Sequence, residues 1–558
     1  MPLDKLKFIS NIEIASDKNI TKKITNYDSS TTSYDYIIKR DQEELLYDTM
    51  ALLSGLHEDE IELIPRGLCT VSAANERDDN KKDTCVIAVL PWSIKKLNSD
   101  AFNGYAKLKT IYMPELLTEL YTGAFANCSS LSAITIPNRV KFIGKAAFLG
   151  CSGLKSMSIP RLGGMEANEA NACLGFYFSG SANSSNQINY VSNNLSSVYI
   201  TDGSVIADGA FKGLTKIKRI ELNNGITSIG ADAFNGCSSL TTVNIPNTVS
   251  TIKNGTFKGC YNLLNINIHD SITSIGSEAF SGCKTPTKLR VTDNVTNIGF
   301  SAFANCIGLN YITLPFVGAE KDGTSNTHFG YIFGANTADK NEEFCPAAGV
   351  KITGGTSIAN KAFYKCSGLT EINIPDSVTS IGIYAFYGCN NLESILLPFI
   401  GSTKDSDSNT HFGYVFGAAS YSLNKDTIPS SLQNVQITGG TTVKEFAFYN
   451  CNNLKSIKLP NSMTNIEGYA FAGCSNLTEI NIPNGTTSIK SYTFANCSAL
   501  EEIRLPSSVV SIADNAFINC TNTTVHIPYS YSSSNFTNYY KWGCKYIQFT
   551  DRRVSVIV

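Results

Sequence analysis

Thiols and imidazoles are the side chains best equipped to ligate, attack or cross-link, and their spacing limits what they do here. The chain carries 17 cysteines and 5 histidines in 558 residues. Twelve cysteines fall three residues after a phenylalanine: Cys128, Cys151, Cys237, Cys260, Cys283, Cys306, Cys366, Cys389, Cys451, Cys474, Cys497 and Cys520. Nucleophilic, metal-binding or disulfide chemistry each needs a further group at a fixed place: a base, more ligands, or a second thiol. Tyr105 and Leu214 stand at the same place in two other units, so the position tolerates Cys, Tyr or Leu, as a packed site does. The expectation is a column of buried thiols serving as small hydrophobes. Vicinal disulfides stay open, because stacked turns bring equivalent Cα atoms within about 4.8 Å; metal binding is the least favoured. His328 and His411 hold equivalent places three turns apart, on the order of 15 Å by strand spacing. Zinc ligands sit about 2 Å from the metal, so the pair cannot share an ion, and both read as turn residues. No nucleotide-binding, hydrolase or metalloprotease motif occurs, so no catalytic residue, metal site or cofactor is expected.

The element that positions the cysteines is a repeat. Ala-Phe, or a close variant, recurs every 23 residues at Phe102, Phe125, Phe148, then Phe211, Phe234, Phe257, Phe280, Phe303, then Phe363, Phe386, then Phe448, Phe471, Phe494 and Phe517. A unit this short has no core of its own and must bury its apolar face against its neighbours, which makes a solenoid. In residues 125–148, Leu131, Ile134 and Ile136 give L-x-x-I-x-I, a short strand with its apolar side inward. Pro137 ends the strand, and proline recurs at that spacing in ten of the fourteen units. Val140 and Ile143 point inward from the opposite side, Gly144 is expected to permit a tight turn, and Ala-Phe-x-x-Cys to make a short helical or 3₁₀ turn.

Ile-Pro after the strand and Ala-Phe-x-x-Cys before the next one resemble the BspA-like, Treponema-type leucine-rich repeats, over roughly residues 86–528. The resemblance implies a parallel β-sheet on one face of a leucine-rich-repeat superhelix. It also implies a bacterial or protist surface protein, several such proteins being adhesins for host matrix proteins or other cells.

Three intervals depart from 23: Phe148–Phe211, Phe303–Phe363 and Phe386–Phe448, at 63, 60 and 62 residues. Each hides an expanded turn, near 161–195, 316–348 and 399–431, containing Cys173-Leu-Gly-Phe-Tyr-Phe178, His328-Phe-Gly-Tyr-Ile-Phe333 or His411-Phe-Gly-Tyr-Val-Phe416. Phe178, Phe333 and Phe416 are expected to replace the repeat phenylalanine. About 17 strand-bearing units result, a sheet roughly 80 Å long. The residues between the inward strand positions point outward. The candidate binding set among them is Tyr112, Tyr199, Arg219, Glu221, Asn244, Asn267, Arg290, Tyr311, Lys351, Glu371, Asn373, Gln436, Lys458, Glu479, Asn481 and Arg504. It is polar, mixed in charge and patchily aromatic, suited to a protein or glycan partner and not to catalysis.

Residues 1–85 do not match the repeat; Asp41–Leu56 reads as an amphipathic helix in an N-terminal cap or docking segment. Val86 to Leu97 is half of one more unit, and 529–558 reads as a C-terminal cap whose apolar tail needs a partner strand or surface. Formal net charge is −2 with 16% charged residues, and no basic stripe stands out, which argues against nucleic acid. No run of 18 apolar residues would span a bilayer. The N-terminus lacks the pattern of a secretory signal, which leaves an intracellular chain, one whose signal was removed, or exit by another route such as lysis. The leading expectation is a non-enzymatic, adhesin-like recognition protein. The alternative is a structural component of a surface layer or phage virion docked through residues 1–85.

Overall fold

The computed structural model describes residues 61–63, 87–90, 94–162, 172–264, 266–284, 287–306, 308–528, 542–549 and 555–557. The expected helix over Asp41–Leu56 lies outside these residues. The chain divides into two units, Met1–Asn267 and Ile268–Val558. Each is a parallel β-solenoid of leucine-rich-repeat type.

In the first unit the strands Ala133–Thr135, Ser156–Ile159, Ser197–Ile200, Arg219–Leu222 and Thr242–Val243 form one parallel sheet. Its register aligns Ile134, Met157, Val198, Ile220 and Val243 as a single column. The 41-residue step from Met157 to Val198 thus costs no register, because the insertion bulges out between strands. Upstream, Thr110–Tyr112 pairs in parallel with Ile87–Val89, and this with Ile61–Leu63. A strand therefore lies within the segment that showed no repeat pattern. A second ladder runs along the opposite side through two-residue strands such as Lys96–Leu97, Glu119–Leu120 and Phe142–Ile143. Between the ladders the repeat phenylalanines stack: Phe102, Phe125 and Phe148 at 5.4 and 5.7 Å, Phe211, Phe234 and Phe257 at 5.5 and 5.1 Å.

The Ala-Phe-x-x-Cys corner is not the helical or 3₁₀ turn expected from its sequence. It is a pair of tight turns with left-handed residues two before and two after the phenylalanine, for example Gly123 (φ 64°) and Asn127 (φ 60°) around Phe125. This aims alternate N–H groups along the stack: those of Gly123, Phe125 and Asn127 donate to the carbonyls of Lys145, Ala147 and Leu149 in the next turn. The corner becomes a third hydrogen-bonded ladder, satisfying backbone groups that a buried turn would otherwise strand. Gly144 has a different role from the one read in the sequence. Its φ is not left-handed; a Cβ there would lie 2.4 Å from the backbone nitrogen of Thr122, so glycine permits a close approach of adjacent turns.

In the second unit Lys288–Arg290, Tyr311–Leu314, Gly349–Ile352, Glu371–Asn373, Ser394–Leu397, Asn434–Ile437, Ser456–Lys458 and Glu479–Ile480 form an eight-stranded parallel sheet. Glu502–Arg504, Cys520–Ile527 and Cys544–Phe549 continue in parallel, and Ser555–Ile557 closes the edge antiparallel to Cys544–Phe549. The apolar tail so finds its partner strand within the chain, and an exposed sheet edge is blunted. Trp542 is buried, and its carbonyl accepts the Phe517 N–H at 2.8 Å, standing in for a further Ala-Phe.

The inserts rebuild the core as expected, but with a relay of side chains in place of one ring. The 3₁₀ helix Phe329–Phe333 receives the Phe303 N–H on its Ile332 carbonyl, while its Phe329 N–H donates to Ala362 of the next turn. The Phe329 ring lies 5.1 Å from both Phe333 and Phe363. Phe412–Phe416 repeats the relay with Phe386 and Phe448. In the first insert Phe178 lies 6.2 Å from Phe148, and Leu174 donates to Ala210.

Candidate binding surfaces

The cysteines answer the first chemical question. All fifteen within the described residues are free thiols. At least nine of them donate to the carbonyl of the repeat phenylalanine one turn back, as Cys128 does to Phe102 at 3.1 Å, Cys237 to Phe211 at 3.1 Å and Cys474 to Phe448 at 3.2 Å. Burial pushes the Cys237 and Cys474 thiols up to about 12, which keeps on sulfur the proton the hydrogen bond needs. The column is a set of donors as well as filler. Residue type alone could not show this, since Leu214 fills the same place without donating.

The histidines are similarly occupied. His328 donates through Nε2 to the Ala335 carbonyl at 2.9 Å, and His411 to Ala418 at 3.0 Å. Burial lowers both pKa values, so each imidazole stays neutral as a turn-closing donor. Each insert also holds a buried amide that sequence reading did not single out. Asn341 accepts from Gly330 N–H and donates to Ala362; Asn424 accepts from Gly413 N–H at 3.0 Å and donates to the Tyr449 carbonyl at 3.0 Å. Gln187 does the same for Gly175 and Gly209. The findable signal was an amide residue 11 or 12 residues after the glycine of each aromatic motif. Replacing Asn424 with Ala leaves the buried Gly413 N–H and the partly buried Tyr449 carbonyl without this partner, and about 2 kcal/mol of destabilisation is expected. Faster amide exchange confined to residues 411–450 would report it.

The outward strand positions divide between the two units. In the first, Arg219 pairs with Glu221 and lies 6.0 Å over the Tyr199 ring. Tyr112 is half-buried, and desolvation raises its phenol pKa. Asn244 is committed to backbone: it accepts from Leu222 N–H at 2.8 Å and donates to the Leu222 carbonyl at 2.7 Å. Its amide continues the ladder just where the strand Thr242–Val243 stops. Asn267 is exposed and outside any strand.

In the second unit Asn481 caps Leu459 in the same way, at 2.8 Å for both bonds. Lys288 lies 6.0 Å over the Tyr311 ring, and Arg290 is 3.9 Å from Asp293. Burial, then the Glu371 charge, raises the Tyr311 phenol. Glu502 accepts from Arg504 at 3.2 Å and lies 3.3 Å from His526; Lys351 is exposed. Glu371, Asn373, Gln436, Lys458 and Glu479 come together, with Leu396, around a shallow depression of about 300 Å³. Sequence reading missed a second surface, a file of stacked aromatic residues at the Ala-Phe corner of this unit, for which the signal was Phe446, Tyr469 and Tyr492 at 23-residue spacing.

The BspA type leucine rich repeat region matches residues 83–195, 204–318, 356–406 and 420–548, with six copies. The chain belongs to the BspA type leucine-rich repeat family. Proteins of this BspA type are generally surface proteins engaged in binding. Similar solved structures include a leucine-rich repeat protein from Bacteroides ovatus (27% identity, 63% of this chain and 90% of that one, TM-score 0.28). A leucine rich cell surface protein from Faecalibacterium prausnitzii shares 26% identity over 69% of this chain and 82% of that one, TM-score 0.26. The T. pallidum leucine rich repeat protein shares 23% over 36% and 64%, TM-score 0.16. No curated protein is detectably similar in sequence. Among the described residues of this BspA type chain no helix is long and apolar enough to cross a membrane.

Proposed function

We propose that this protein is a non-enzymatic, adhesin-like recognition solenoid, displayed at a cell surface, that holds a protein partner on the outward strand ladder of its second unit. The observation that supports this reading is the depression where Glu371 lies across Leu396 and Gln436 from Lys458, with Glu479 on the strand next to Lys458. Glu371, Gln436, Lys458 and Glu479 are exposed or half-exposed and carry both charges beside one half-exposed apolar side chain, Leu396. That composition suits a folded protein surface, where charge complementarity sets specificity and a small apolar centre adds affinity.

The test is capture of purified matrix glycoproteins by the full chain. Lys458→Glu removes the depression's one cation and leaves it only carboxylates, Glu371 and Glu479 included, and is expected to weaken capture at least tenfold. Lys253→Glu, beside the opposite ladder of the first unit, should leave it unchanged. Equal effects of the two substitutions would sink the reading. Capture that vanishes when the glycans alone are stripped would transfer it to a carbohydrate.

A further inference from the structure

We propose that the aromatic file at the Ala-Phe corner of the second unit is a binding site for a linear, neutral polysaccharide, separate from the strand ladder and not resting on the role proposed for it. The backbone position two before the repeat phenylalanine is left-handed throughout the chain. In the first unit it holds Asp100, Gly123, Ala146, Gly209, Asp232 and Gly255, so the fold has no need of a ring there. The second unit places Tyr384, Phe446, Tyr469 and Tyr492 at this position, with φ between 57° and 60°. Bulky residues are strained in that region, where glycine or asparagine would serve the turn better. Strain retained for side chains at a surface is a mark of use.

The rings form a file along the stack. Tyr421 from the third insert stacks on Phe446 at 4.2 Å, Phe446 on Tyr469 at 5.0 Å and Tyr469 on Tyr492 at 4.7 Å. Tyr449 meets Tyr421 and Phe446 edge-on. A second group, Tyr364, Tyr387 and Tyr384, precedes the insert. Gly417 (φ 98°) belongs to it, since a Cβ there would lie 2.4 Å from the Tyr384 ring. Tyr384, Tyr387 and Tyr421 remain 37, 39 and 40% exposed despite this stacking.

The occupant follows from spacing and charge. Stacking covers the ring faces and turns their edges outward. Those edges carry partial positive charge and phenol hydroxyls, which suits the ring and hydroxyl oxygens of sugars. An extended peptide presents same-face side chains about 6.6 Å apart and falls out of step with rungs at 4.2–5.0 Å. An extended chain of 1,4-linked pyranoses advances by close to one rung per sugar. Flanking charges are paired with each other, Lys490 with Glu467 and Lys444 with Asp407. Lys361 likewise pairs with Asp339 at 3.2 Å, and it lies with Lys365 over Tyr364 at one end. A neutral polymer fits that balance.

Affinity electrophoresis of the full chain in gels containing a soluble β-1,4-glucan, a β-1,3-glucan, an α-mannan or polygalacturonate tests the site. Retardation is expected in at least one neutral gel. The double substitution Tyr469→Asn, Tyr492→Asn suits the left-handed backbone and should raise the apparent Kd at least tenfold. Tyr421→Ser, in the insert, should do the same without touching the corner turns. Asp232→Asn, the equivalent site in the first unit, should behave as wild type. No retardation in any neutral gel, retardation unaffected by either set, or retardation in polygalacturonate alone would overturn the proposal. So would loss of glycoprotein capture in the ring variants without polysaccharide binding, which would give the file to a protein partner.

Discussion

Raising the pH from 8 to 10 under reducing conditions is expected to destabilise the second unit strongly, and replacing four of its cysteines should lessen the loss. Burial pushes the thiols of Cys306 and Cys474 up to about 12 and those of Cys520 and Cys544 up to about 11, from an ordinary 9.0. A thiol whose folded pKa lies above its unfolded value stabilises the fold fully below pH 9. That contribution drains away as pH climbs towards the folded value, because the unfolded chain ionises first. Each thiol loses about 1.4 kcal/mol per pH unit in this window, so four together lose about 5 kcal/mol by pH 10. Domains are typically stable by only about 5–15 kcal/mol. Lysines and tyrosines titrate in the same range, which is why the comparison matters. The quadruple Cys→Val variant keeps those groups, the other buried thiols and the packing, gives up four S–H donors, and should lose about 5 kcal/mol less than wild type between pH 8 and 10. Circular dichroism across that range separates the outcomes: parallel curves for variant and wild type would show that these four thiols are not sensitive groups.

What the sequence disclosed, and what it hid, follows from how many residues share each signal. The phenylalanine column was legible because one residue type recurs at fixed spacing, and the strand because I-x-I exposes its alternation. The opposite ladder was not, since pairs such as Ser228–Ile229 are too short to alternate. Gly144 looks like a turn former in the sequence, but its reason lies 2.4 Å away on Thr122, a contact no local pattern encodes. The turn from Trp542 to Phe549 escaped because it lacks Ala-Phe, although Trp542 occupies the same corner. Outward position was also an incomplete guide to binding residues. Asn244 and Asn481 point out from the strand side yet give both amide groups to backbone. Lys458 and Gln436 sit in the same column and line the depression.

The second large effect is expected from Phe494→Ala. Phe494 is fully buried, and its ring stacks at 5.3 Å on both Phe471 and Phe517. Its carbonyl accepts the Cys520 thiol at 2.9 Å, so the residue ties three turns together. Removing a buried aromatic ring costs about 3–5 kcal/mol, part of it for the cavity left behind. In a solenoid that loss is not shared over the whole chain: stability is close to a sum over units and their nearest-neighbour interfaces. Two interfaces are weakened, and the turns from Phe471 to the C-terminal strands should open as a block. At 1.4 kcal/mol per tenfold, amide protection there should fall by two to three powers of ten. Residues 311–397, several turns upstream in the same unit, should keep theirs. Hydrogen exchange read segment by segment makes the distinction. A uniform loss over the second unit would mean that it unfolds as one cooperative body, and the nearest-neighbour account would then be wrong. Phe494→Leu, which refills most of the volume but cannot stack, should fall between wild type and Ala; if it matches Ala, ring stacking rather than cavity volume carries the effect.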